Sequence, residues 1–474
     1  MFLRPFITIQ RSGIAVLLLL AAMQLLGVGC ANIIPPSGGY KDTIPPRLVV
    51  ALPRDSALRV TTTRINLGFD EYIDGKDLQA NLIVSPIPAK SPLVDYKLRN
   101  INIRLQDSLE ANTTYSLNFQ NSLRDINEGN IYKNFTYVFS TGNHIDKGSF
   151  SGKVFLAATG KTDSTLIVIL HRNLNDTAVR KSKPRYYTTI DGKGNFSFKF
   201  LAPGTYNAFV LKNGYNKRYD DSTAFFAFLD QPVTISDNLA PQDSFYAYQE
   251  ALPKATPIGS APANAPKPKE DKRLKYTITL ETGRQELIND TLQFSFNHRI
   301  TKLDTSAIVL YDTNYAVIPG YHFYLDTSLR KLSLVYHWKE DTHLRLLLKK
   351  TAVTDSAGTS LLRTDTIAFT VKRESDYGAI HIRFSHFDPA LHPVLQLVQS
   401  DRLIESIPLH GRTFDRELYY PGDYDLRVLY DTNNNGVWDP GNYKLKKQPE
   451  IVRLLPVKLS VKANYGDATV EVTL

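Results

Sequence analysis

Short runs in which every second residue is apolar recur along most of this chain. Between Arg64 and Phe69, Ile65, Leu67 and Phe69 share one face; between Asn100 and Leu105, Ile101, Ile103 and Leu105 do the same. Tyr115, Leu117 and Phe119 repeat the pattern, as do Phe135, Tyr137 and Phe139. Alternation with a period of two, broken by turn residues, is the mark of half-buried strands. No long amphipathic helix interrupts it, so the chain reads as all-β, a series of tandem β-sandwich domains. Its 26 tyrosines and 23 phenylalanines suit strands. At 474 residues it must divide into several cores.

The N-terminus follows different rules. Arg4 and Arg11 precede an apolar run from Ile14 to Leu26, which ends in Gly27-Val28-Gly29-Cys30. The run is short for a spanning helix, which needs about 20 apolar residues. It fits the apolar region of a cleaved export signal, residues 1–29, followed by small residues. A plain N-terminal membrane anchor is the other reading. Cys30 is the only cysteine, so no disulfide can form within one chain. Small residues before a lone cysteine at this place resemble the bacterial lipobox, although Gly27 stands where that motif usually has an aliphatic residue. The resemblance implies that Cys30 is lipidated and that the membrane is held through a lipid anchor, since each buried CH₂ contributes about 0.8 kcal/mol. Residues 30–46, rich in Pro and Gly, read as an extended tether.

The formal net charge is +9. Without Arg4 and Arg11, 54 basic residues face 47 acidic ones, leaving +7. There is no Arg/Lys stripe and no nucleic-acid motif, so no nucleic acid is expected as a partner.

Landmarks divide the rest. Pro45-Pro46 precede residues 47–142, within which Phe69-Asp70-Glu71, Thr114-Tyr115, Asp125 with Gly129-Asn130, and Phe139 with Thr141 follow in order. This series resembles the bacterial Ig-like domain of the surface-layer type. Residues 148–246 carry a Gly-x-Val start, the turn Asp191–Asn195 between aromatic alternations, and Leu201-Ala202-Pro203-Gly204-Thr205-Tyr206. They resemble the prealbumin-like sandwich of carboxypeptidase regulatory domains. A Pro/Ala/Lys linker, 247–273, has no apolar period and cannot offset its ordering entropy.

Beyond it the two modules recur. In 274–373 the turn at Asp355–Gly358 parallels Asp125–Asn130, giving a second Ig-like unit. In 377–474, Pro421-Gly422 and Tyr424 parallel Pro203-Gly204 and Tyr206, giving a second prealbumin-like unit. An A-B-linker-A-B duplication is the simplest account. The linker is expected to let the two halves reorient.

The sharpest local motif is Asp431-Thr432-Asn433-Asn434-Asn435-Gly436-Val437-Trp438-Asp439. Side-chain oxygens at Asp431, Asn433, Asn435 and Asp439 with glycine sixth match the first half of an EF-hand-type Ca²⁺ loop. Asn442 replaces the expected twelfth-position Glu, so a Ca²⁺ site would borrow a ligand such as Asp425 or Glu450. A polar hairpin turn accounts for the same residues. His381, His386, Asp388 and His392 are close in sequence, but strand alternation sends His381 and His386 to opposite faces, and a structural role is favoured over zinc. No nucleophile elbow, HExxH or phosphate loop is present. Asp-Ser/Thr pairs recur, with Ser56, Ser108, Ser164, Thr177, Thr291 and Thr366 among the hydroxyl residues. They resemble the O-glycosylation signal of exported Bacteroidota proteins, and they equally suit turn starts.

The whole resembles the Ig-like-domain lipoproteins of the Bacteroidota envelope. The resemblance implies a non-catalytic scaffold or protein-binding module at the outer membrane, on its periplasmic or surface face, with an envelope protein as partner. A glycan-binding adhesion lipoprotein and an enzyme with an unrecognised site are the alternatives.

Overall fold

A computed structural model describes residues 41–250, 273–464 and 468–474. The export signal, Cys30, most of the tether and most of the expected linker lie outside them. Among the described residues helix is confined to two four-residue segments, Leu78–Asn81 and Ala178–Lys181, and short 3-10 turns. No described helix is long and apolar enough to cross a membrane.

The alternation sets the cores. In the first sandwich, Ile65, Leu67, Phe69, Ile101, Ile103, Leu117, Phe119, Tyr137 and Phe139 are buried together, while Asn100, Asn102 and Arg104 face out. One sheet orders its strands Leu48–Leu52, Arg64–Phe69, Asn100–Arg104, Leu93–Lys97; the facing sheet is Ile83–Ser85, Thr114–Asn118, Thr136–Ser140. The third sandwich repeats this order. Tyr276–Ile278, Thr291–Phe296, Lys331–Val335 and His322–Leu325 form one sheet, and Ile308–Tyr311, His343–Leu348 and Asp365–Val371 run through the other.

The second sandwich has a different plan. Gly148–Leu156 lies between Asn195–Leu201 and the final strand Gln242–Ala247, with which it is parallel. The facing sheet orders Tyr186–Thr189, Leu166–His171, Gly204–Lys212, Phe226–Phe228. The fourth sandwich repeats it. Gly378–Ser385 lies between Thr413–Tyr419 and the parallel final strand Ala468–Thr473, opposite Arg402–Pro408, Pro393–Gln399, Gly422–Tyr430 and Ile451–Val461. The same glycine ends the same turn in both: Gly204 and Gly422 have φ of 151° and 155°, a backbone conformation that only glycine adopts without strain.

Two expectations need correcting. The second sandwich extends past residue 246: Ala247 closes its last strand, and buried Tyr248 exchanges backbone hydrogen bonds with Phe226. The expected linker therefore starts later. The two halves are also not free to reorient in this structure, because the second and fourth sandwiches pack on each other. The physical reason is an apolar outer sheet face, Ile167, Ile169, Phe209, Phe226 and Phe228, that is buried together with Tyr443 of the fourth sandwich. Leaving such a face in water would forgo about 25 cal/mol for each Å² of apolar surface.

Candidate functional site

The arm that covers this face starts in the segment singled out for Ca²⁺, Asp431–Asp439, and continues past it to Gln448. Asp431 directly follows the strand Gly422–Tyr430 and is fully buried. Its carboxylate accepts the backbone N–H groups of Asn435 (3.2 Å) and Gly436 (2.6 Å), which fixes a tight turn with Gly436 at φ 78°. Asn433 and Asn435 both direct their side-chain amides to the Asp439 carboxylate. Buried Glu450 accepts from Thr432 N–H (2.8 Å), Thr432 O–H (2.9 Å) and Asp439 N–H (3.0 Å), while its carbonyl takes the Trp438 indole N–H (2.7 Å). The structure thus brings Asp431, Asn433, Asn435 and Asp439 into one loop, and Glu450, named as a borrowed ligand, joins them. Their oxygens are engaged by the loop's own donors. Asp425 stands apart, in the strand and near Lys458 (3.8 Å). Among the described residues no group of three or more His, Cys, Asp or Glu is placed to hold a metal ion.

Beyond the turn the arm grips the second sandwich. The Tyr443 ring packs edge-on against Phe209, Phe226 and Phe228, with centroids at 5.8, 5.1 and 5.1 Å. Its N–H donates to Glu250 (2.7 Å) and its O–H to the carbonyl of Asp176 (3.0 Å). Lys446 pairs with Asp176, and Gln448 donates to Phe228 O and to Asp230. Gly441 permits the approach: a Cβ there would lie 2.6 Å from the Tyr248 ring. Polar and apolar contacts together make this a built interface rather than a grazing one.

The first and second sandwiches are joined as firmly. Arg185 forms a two-pronged ion pair with Glu110, at 2.6 and 2.7 Å, whose hydrogen bonds hold the Glu110 carboxyl below the usual range. Beside it, Ile87 N–H donates to Arg185 O (2.9 Å) and Lys183 Nζ to Ala89 O (3.1 Å). Sequence reasoning missed this junction. Its residues come from loops and strand ends with no periodic signal.

The remaining candidates stay separate. His381 meets Asp415 at 2.7 Å, Asp388 caps Ala390 N–H, and His386 and His392 sit at positive-φ turn positions. Of the candidate glycan acceptors, Ser56, Ser108, Ser164, Thr177 and Thr366 are exposed and Thr291 is half-buried in a strand. Asp42, Asp163, Asp221 and Asp355 each accept the N–H two residues on, the Asx turn that such pairs favour.

Among solved structures, the chain is similar to an L,D-transpeptidase from Mycobacterium smegmatis (13% identity, 27% of this chain and 61% of that one, TM-score 0.16). It is also similar to the N-terminal part of the bacterial S-layer protein SbsC (15% identity, 42% of this chain and 45% of that one, TM-score 0.17). A third is BcpA, the major pilin subunit of Bacillus cereus (11% identity, 69% of this chain and 99% of that one, TM-score 0.16). The chain thus spans less than two thirds of the first two. No curated protein matches it. The family model of the bacterial Ig-like domain matches residues 42–141, and the first sandwich is therefore such a domain.

Proposed function

We propose that this chain is a non-catalytic lipoprotein of the bacterial cell envelope, tethered to the outer membrane through Cys30, whose docked sandwiches present a fixed surface to another envelope protein. The observation that carries this reading is the all-β build: a bacterial Ig-like domain leads four sandwiches, and paired side chains lock first to second and second to fourth. Fixed relative placement lowers the ordering cost of binding a partner across more than one module. The tether part of the reading rests on the signal pattern before Cys30.

Fractionation of cells expressing the chain and its Cys30→Ser variant, with intact mass measured on each, tests the proposal. Membrane retention and added acyl mass that both vanish in the variant support it; a variant that stays membrane-bound overturns the anchor. Mass beyond polypeptide and lipid would place glycans on the exposed Asp-Ser/Thr sites, and its absence would remove them. Protease shaving of intact cells then distinguishes the periplasmic from the surface face. Cross-linked membranes from which this chain recovers no envelope protein would overturn the scaffold role.

A further inference from the structure

The junction of the first two sandwiches is also a crevice, and its chemistry differs from the rest of the surface. On one side lie Lys183 and Lys217, with Pro88 and Pro184 forming part of the wall and Tyr187 and Tyr215 beside them. The Lys217 ammonium sits 4.2 Å over the Tyr187 ring. Tyr215 is 91% exposed, a large aromatic side chain that no core requires. Neither lysine has a carboxylate within ion-pair distance among the described residues: Lys183 donates only to a backbone carbonyl and Lys217 only to the Asn213 side chain. Burial and then the charge of Lys183 lower the pKa of Lys217, the response of a cation that lacks a counter-charge.

Tyr187 also lines a second cavity, which opens between the same two sandwiches and is polar. Asn118, Gln120 and Asn134 from the first sandwich face Thr188, Asn195 and Ser197 from the second. The side-chain amides of Gln120 and Asn134 have no hydrogen-bond partner among the described residues. A groove with two uncommitted amides, at Gln120 and Asn134, an exposed aromatic ring and two unpaired cations suits a ligand with hydroxyls, a flat ring face and negative charge.

We propose that this junction binds an acidic saccharide, its carboxylate held between Lys183 and Lys217, a sugar ring resting on the exposed Tyr215 beside them, and its hydroxyls turned to the amide-lined cavity. The site does not depend on the lipid anchor, so its failure and the failure of the envelope-anchor reading are separate results. It adds a ligand to the scaffold, and it rests on the rigid first-to-second junction.

Titration calorimetry on the full chain with galacturonate oligosaccharides is the test, with neutral dextran oligosaccharides and polyglutamate as comparison probes. Galacturonate should bind and dextran should not. Lys183→Ala with Lys217→Ala should weaken binding by about tenfold or more, as expected for losing charge-assisted contacts. Tyr215→Ala, a surface change that leaves the fold intact, should weaken it severalfold. No heat with galacturonate, equal binding by the variants, or equal binding of polyglutamate with the same residue dependence would each overturn the proposal. The last outcome would mark an acidic peptide site instead.

Discussion

Tyr206 and Tyr424 make the same hydrogen bond in different sandwiches: each phenol donates to the carbonyl four residues upstream, Ala202 O at 2.8 Å and Tyr420 O at 2.9 Å. Both follow a positive-φ glycine and both rings are buried in their cores. The bond pins the turn between two sheets to the strand that leaves it, much as a tyrosine corner does. Tyr206→Phe and Tyr424→Phe should each cost about 1 kcal/mol, the net worth of one such bond. Denaturant unfolding of the two single variants and the double variant checks this, with the costs adding because the sites share no partner.

Tyr443→Ala should separate the second and fourth sandwiches. It removes three aromatic contacts and the phenol's hydrogen bond to Asp176 O at the centre of the docked arm. Truncating a buried aromatic costs about 3–5 kcal/mol in a core, and this site is comparably covered. Small-angle scattering should report a larger radius of gyration, while far-ultraviolet circular dichroism stays unchanged.

His171 is buried at the end of a strand, edge-on to Phe209, and its Nε2 has no hydrogen-bond partner among the described residues. Burial pushes its pKa down to about 4. The unfolded chain, with a histidine pKa of about 6.5, takes up the proton first. Stability is therefore full above about pH 6.5 and falls as pH drops toward 4. In His171→Phe this slope should disappear from denaturant midpoints measured across that window.

Asp125 shows a different acid response. Burial acts to raise its pKa, but backbone N–H groups of Glu128, Asn130 and Gly129 bond its carboxylate and leave the pKa below the ordinary value. Its contribution is present above the unfolded value of about 3.9 and is lost as pH falls through the lower folded one. Asp125→Ala strands those donors and should cost about 1–3 kcal/mol at neutral pH. Thermal unfolding followed from pH 7 downward should show a large difference between variant and parent at neutral pH that shrinks as pH falls below about 3.9.

The Arg185–Glu110 pair should couple the first two sandwiches. Both side chains are partly exposed, so a double-mutant cycle with Arg185→Ala and Glu110→Ala is expected to give about 0.5–1 kcal/mol. Raising salt should shrink that coupling. A coupling of zero at low salt would show that the ion pair does not hold the junction, leaving it to contacts such as the Ile87 N–H and Lys183 bonds.

Much of the fold was legible because burial and alternation carry the same information. Ile65, Leu67 and Phe69, or Phe135, Tyr137 and Phe139, can satisfy a period of two only by facing one core. The duplication was legible too, since Asp125 and Asp355 close the same turn in the two Ig-like plans and Pro-Gly-x-Tyr recurs in the other two. The docking of sandwich on sandwich was not. Tyr443 lies in a polar loop, where its neighbours Asn442 and Lys444 suggest solvent, and its partners Phe209 and Phe226 look like ordinary strand residues. The Asp431 loop was found for its oxygens, yet pattern alone could not tell a cation cradle from a turn fastened by Glu450, a residue eleven places beyond Asp439. The crevice at Tyr187 and Lys217 left no trace, because it forms only when two separate modules meet.

The parallel closing strands have a mechanical consequence. In the second sandwich Gly148–Leu156 runs alongside Gln242–Ala247, and in the fourth Gly378–Ser385 runs alongside Ala468–Thr473. Opening and closing strands that point the same way put the chain's two exits at opposite ends of each module. Tension along the backbone then drags one strand lengthwise past the other, so the rungs between them must fail together instead of peeling off singly. Such modules would resist stretching far better than their modest size suggests.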